Sequence, residues 1–167
     1  MDFTTLKERL AAEAKAAGIC DEWYHYIRRA TSKESLIALF NKGLDFCINN
    51  RFPSAELRAE FDGVRQHFGV YDSEEFTAKS RRRVITYGTA AGVIKLANFD
   101  VSLIWARDSS KIKVEAKNNA FACINIADGA EVEIEASDAA RVNIVLHGGT
   151  YKSHASGTAK IKVTDKQ

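Results

Sequence analysis

A chain of 167 residues that is 46% hydrophobic and 28% charged, with one proline, has the composition of a folded globular protein and is too apolar for disorder. Its 24 Lys and Arg against 22 Asp and Glu leave it nearly neutral, so net charge points to neither a nucleic-acid trap nor a DNA mimic. Charges are spread through the first 18 residues, no apolar run is long enough to span a bilayer, and Cys20, Cys47 and Cys123 are odd in number and far apart. These features predict a cytoplasmic protein with no signal peptide, no membrane contact and no disulfide framework.

Helical spacing rules the first part of the chain. Phe3, Leu6, Leu10, Ala14 and Ala17 fall on one stripe that Gly18 ends. A second short helix is expected over "DEWYHYIRRA", with Trp23, Ile27 and Ala30 inward. "TSKE" reads as a capping box between Thr31 and Glu34, opening a long helix with Leu36, Ile37, Phe40, Leu44, Cys47 and Ile48 on a wide apolar face. Pro53 stops it, Ser54 caps a fourth helix, and Leu57, Phe61, Val64 and Phe68 form its stripe. Residues 1–68 are therefore predicted as a small helical domain of four helices.

Residues 69–83 have no clear period and run from acidic to basic, so they read as a connector. Its Arg81, Arg82 and Arg83 are candidate partner contacts, although such a run beside a strand is ordinarily a solvated face. "WYHYIRR" at 23–29 interleaves aromatics with arginines, a pattern able to grip single-stranded nucleic acid. On a short helix the same pattern places Trp23 and Ile27 in a core, and a nucleic-acid partner is not favoured.

From residue 84 onward the chain repeats a ten-residue phrase, as in "KIKVEAKNNA", "FACINIADGA" and "EVEIEASDAA". Positions two, four and six are apolar and alternate with Lys, Glu and Asn, the period of a half-buried strand. Positions eight and nine supply the turn, as in Asp108-Ser109, Asn118-Asn119, Asp128-Gly129, Asp138-Ala139 and Gly148-Gly149. Residues 84–167 are thus predicted as a β-repeat domain, and the whole chain as α+β. A parallel β-solenoid with two rows per rung is the favoured architecture, and an antiparallel β-meander is the alternative.

The solenoid reading sorts the outward residues into two faces. Val101, Leu103, Trp105 and Phe121 form an apolar face, predicted to be covered by the helical domain or by a second copy. Glu115, Glu131, Glu133 and Glu135, with Tyr151, form a charged face in which Lys111 and Lys113 lie beside Glu131 and Glu133. The row from 151 carries Lys152 and His154 at positions that are apolar in earlier rows and marks the opening of the core, with "KIKV" at 160–163 as the last strand and a guard against end-to-end association.

No phosphate-binding loop, nucleophile elbow or zinc signature is present, and His25, His67, His147 and His154 lack metal spacing. Catalytic residues, metal ligands and cofactors are not predicted. "SLIALFNKGLDFCINNRFPS" followed by the Val/Ile-rich repeats resembles a group of small proteins from bacteriophages and mobile elements of anaerobic gut bacteria. That resemblance implies a mobile-element setting and a helical module joined to a β-repeat module, with no activity attached. The expected role is non-enzymatic interaction with a protein partner, with self-association in an assembly as the rival.

Overall fold

The computed structural model describes every residue from Met1 to Gln167, in two compact units, Met1–Phe68 and Gly69–Gln167. The first unit holds α1 (Phe3–Ala16), α2 (Asp21–Arg29), α3 (Lys33–Lys42), α4 (Leu44–Asn49) and α5 (Ala55–Ala59), followed by a 3₁₀ turn over Arg65–Phe68. Its core gathers the expected stripes, including Leu6, Leu10, Ala14, Ile27, Leu36, Ile37, Cys47, Leu57 and Phe61.

Three local readings change. The residue capping α3 is Ser32 rather than Thr31: its hydroxyl accepts the Ser35 N–H at 3.2 Å while the Ser35 hydroxyl accepts the Ser32 N–H at 3.1 Å. The long third helix is broken at Gly43, where a Cβ would lie 3.3 Å from the Trp23 ring. Glycine there makes room for the indole, and the chain stops and restarts around it. The fourth stripe is helical only over the five residues of α5, and Phe61, Val64 and Phe68 continue it through turns.

The second unit is a parallel β-solenoid of about five turns. Its strands are β1 (Val70–Asp72), β2 (Glu75–Lys79), β3 (Arg83–Tyr87), β4 (Ala91–Leu96), β5 (Val101–Ala106), β6 (Lys111–Ala116), β7 (Phe121–Ile126), β8 (Glu131–Ala136), β9 (Arg141–Leu146), β10 (Thr150–Ala155) and β11 (Lys160–Asp165). Odd strands form a six-stranded sheet in the order β1-β3-β5-β7-β9-β11, and even strands form a five-stranded sheet in the order β10-β8-β6-β4-β2. Every pairing is parallel, which rules out the meander, since hairpins pair antiparallel strands.

The 69–83 segment is not a connector. It supplies β1, β2 and the start of β3, pairing with β3 and β4 as the first rung. Its strands are short, and the pairs Val70 with Ile85 and Glu75 with Ala91 lie off the twenty-residue spacing that joins β3 to β9 and β4 to β8, so the repeat does not extend to them.

Alternation sets the core. Ile104, Ile124 and Ile144 stack in one sheet and Ile94, Val114 and Ile134 in the other, all at 0% exposure. Each aliphatic side chain buried this way contributes about 1.5–3 kcal/mol by area. The tenth position of most rows is small and lies at an inner corner: Ala90, Ser110, Ala120, Ala130 and Ala140 are all fully buried, and Asp100 is an exception. The core begins with Tyr71 stacked on Phe76 at 3.9 Å. At Gly92 a Cβ would lie 2.6 Å from the Phe76 ring, so the glycine leaves space for that stack.

Corners repeat with the strands. Asn98, Asn118 and Asp138 line one edge, and Asp108 and Asp128 the other, with φ between 55° and 60°. Asn and Asp tolerate this left-handed backbone best among residues with a Cβ. Their side chains also tie rungs together: the Asp138 carboxylate accepts the Asn118 N–H at 2.9 Å, and Asp108 accepts that of Gly88 at 2.8 Å.

Candidate functional site

The outer face of the five-stranded sheet carries the predicted charged residues in three parallel columns. One column runs Glu75, Ala91, Lys111, Glu131, Thr150; the next runs Thr77, Val93, Lys113, Glu133, Lys152; the third runs Lys79, Lys95, Glu115, Glu135, His154. Strand β8 therefore lays Glu131, Glu133 and Glu135 across the face as an acidic bar. Lys111 and Lys113 flank it on β6, and Lys152 and His154 flank it on β10.

Lys111 meets Glu131 at 3.1 Å as expected. Lys113 is more connected than its place beside Glu133 implies. Its ammonium is 3.9 Å from Glu133, 3.8 Å from Glu115 on its own strand, and 2.9 Å from Glu135 on the diagonal. It thereby relieves the like-charge pairing of Glu115 with Glu135, which stand in register. The hydrogen bond to Glu135 and the three nearby carboxylates hold the Lys113 pKa above its ordinary value, against a smaller opposing effect of burial. The same hydrogen bond lowers the pKa of Glu135, so both groups stay charged across the physiological range.

Glu131, Glu133 and Glu135 keep 57%, 57% and 50% of their side-chain surface in solvent, whereas Glu115 keeps 23%. Three of the four predicted glutamates are thus half or more exposed while each is ion-paired to a lysine of β6. A shallow depression of about 310 Å³ adjoins them, lined by Lys111, Lys113, Glu131, Glu133, Tyr151 and Lys152 among others. Tyr151 does not belong to the outer row, nor Lys152 and His154 to the core positions. The register is one residue shorter here than between β6 and β8, so Tyr151 pairs with Val132 and is half-buried against the core, while Lys152 and His154 stand outward beside Glu133 and Glu135.

Arg81 and Arg82 lie exposed at the corner between β2 and β3, and Arg83 is half-buried at the start of β3. They are not on the glutamate-bearing sheet, so the two candidate surfaces are distinct. On the six-stranded sheet Val101 is 60% exposed and Leu103, Trp105 and Phe121 are half-buried; Phe99, in the corner before β5, is 80% exposed.

That sheet also holds a cluster the sequence did not disclose. His147, in the turn after β9, stacks on Trp105 at 5.4 Å and shares a 3.2 Å hydrogen bond between Nε2 and the Asn125 side-chain oxygen. Burial of the ring against its neighbours, then the positive charges of Lys166 and Arg107, push the His147 pKa below its ordinary value. Trp105 and Asn125 share one column, so the twenty-residue period locates that pair; only the path of the turn brings His147 to it.

No group of His, Cys, Asp and Glu is arranged to hold a metal ion, and no helix is long and apolar enough to cross a membrane. The chain matches no protein-family model, no curated protein and no solved structure.

Proposed function

We propose that the protein is a non-enzymatic interaction module, encoded by a phage or mobile element, whose β-solenoid presents the charged face of its five-stranded sheet to a protein partner such as a host or defence factor. The observation that carries this reading is the acidic bar of β8. Three carboxylates, half or more exposed, are spaced at alternate residues on a strand hydrogen-bonded on both sides, to β6 and to β10. A partner that matches this row with its own bases loses little entropy in docking, because the glutamate-bearing backbone is already fixed.

The test pairs two baits, the intact protein and the Glu131→Gln/Glu133→Gln/Glu135→Gln variant, which keeps shape and removes charge. A protein captured from host lysate by the first is purified and titrated against both by calorimetry. The reading expects affinity to fall with the glutamates and with rising salt. Equal affinity for both baits refutes it.

A second reading, self-association in an assembly, is supported by the exposure of Phe99 and Val101. It expects a mass by light scattering that rises with concentration and returns to that of the monomer in a folded Val101→Glu variant.

A further inference from the structure

The tetrapeptide Lys-Ile-Lys-Val occurs twice, at Lys111–Val114 and Lys160–Val163. The first copy lies in β6 and shows what the motif pairs with. Strand β8 sets Glu131, Val132, Glu133 and Ile134 against Lys111, Ile112, Lys113 and Val114 in parallel register. Lysines meet glutamates at 3.1 and 3.9 Å on the outside, while Ile112 and Val114 are 4% and 0% exposed within.

The second copy lies in β11, which pairs with β9 and is terminal in its sheet. The Lys160 and Lys166 amides bond back to Ala140 and Leu146 at 2.9 and 2.8 Å. Strand alternation therefore turns the amides of Ile161, Val163 and Asp165 to the open side. Val163, an inward residue of the repeat, is 41% exposed there. The surrounding charge is predominantly positive: residues 150–167 hold Lys152, Lys160, Lys162 and Lys166 against Asp165 alone.

We propose that the open edge of β11 is a docking site for an extended acidic segment of a protein partner, with glutamate or aspartate alternating with aliphatic residues. The segment adds as a parallel strand, as β8 adds to β6. Its backbone satisfies the outward amides, its acids meet Lys160 and Lys162, and its aliphatic residues close over Ile161 and Val163. A second copy presenting this same edge is repelled by the lysines. The proposal uses the strand edge, and it stands or falls apart from the glutamate-bearing face.

The probe is a fluorescein-labelled peptide of residues 129–140, which contains the β8 sequence, titrated into the full chain by anisotropy. Saturable binding that weakens with salt is expected, with none for the peptide carrying Lys at its three glutamates. Val163→Pro deletes an outward amide without touching the bonds to β9 and is expected to abolish binding, since proline is tolerated at edges whose N–H faces solvent. Ser153→Pro makes the equivalent change on the open side of β10 and is expected to leave binding intact. Should Val163→Pro melt early, Lys160→Glu/Lys162→Glu reads the same site, with affinity falling roughly tenfold or more as two ion pairs become like-charge contacts. Absence of binding by the acidic peptide, or binding unchanged in the β11 variants, overturns the proposal. So does a wild-type dimer in light scattering that the Val163→Pro change dissociates, which assigns the edge to a second copy.

Discussion

Substitution of Asp138 separates the two jobs done by the corner residues of the solenoid. Asp138 turns the chain from β8 to β9 with φ at 60°, and its carboxylate accepts the Asn118 N–H of the preceding rung at 2.9 Å. A Cβ in the left-handed region costs about 1–2 kcal/mol, part of which a short polar side chain recovers by local hydrogen bonding. The inter-rung bond is exposed to water and contributes about 0.5–1.5 kcal/mol. Asp138→Ala loses both and is expected to cost about 1.5–2.5 kcal/mol in total. Asp138→Gly relieves the backbone and loses only the bond, with some added freedom of the unfolded chain, for about 1 kcal/mol. Asp138→Asn keeps an acceptor and the left-handed preference and is expected within about 0.5 kcal/mol of wild type. Urea unfolding followed by circular dichroism ranks the series. If Gly proves as costly as Ala, backbone strain is not a determinant at the corner; if Asn does, the corner depends on the carboxylate charge.

Three further outcomes follow from the same geometry. Ile134→Ala opens a cavity in a fully buried column and should cost about 2–5 kcal/mol in urea unfolding, whereas Val163→Ala, at the 41% exposed end of the core, should cost under about 1 kcal/mol. Because the folded-state pKa of His147 is depressed, the unfolded chain binds the proton more readily. Stability from this group is fully present above the ordinary imidazole range and is lost as pH falls through it, so unfolding between about pH 7.5 and pH 5.5 should lose part of its pH slope in His147→Gln. Cys20 is exposed, whereas burial raises the Cys123 thiol pKa and takes that of Cys47 up to about 12. A thiol reagent should label Cys20 first and reach Cys47 only on unfolding.

The repeats from 101 to 146 were legible because each signal recurs: apolar positions alternate, and Asp or Asn returns at every corner that needs positive φ. The separation of an apolar from a charged outer face was legible for the same reason, since a twenty-residue period assigns alternate rows to alternate sheets. The first rung was not legible, because Tyr71, Phe76 and Ala78 are its main inward residues and their spacing is irregular. Nor was the break at Gly43, which depends on Trp23 arriving from another helix. Within the charged face, residue numbers predicted Lys111 against Glu131 but not the reach of Lys113 to Glu135. A flexible side chain settles on the carboxylate that best relieves its neighbours, and register alone does not specify that choice.

The reuse of Lys-Ile-Lys-Val joins the fold to the proposed interactions. In a parallel ladder each strand is recognised by its neighbour through outer charge and inner shape together, so β6 and β8 form a worked example of specific strand pairing within one molecule. The glutamate row that β8 contributes is also the exposed feature of the face, since a strand's outward side chains stay in solvent after its edges are paired. At β11 the relation is inverted: the lysine row is exposed and the edge is unpaired as well. One solenoid thus exposes an acidic row of side chains on one sheet and a lysine-bearing strand edge on the other. The two proposed contacts are expected to respond to different perturbations, the face to charge neutralisation alone and the edge also to proline.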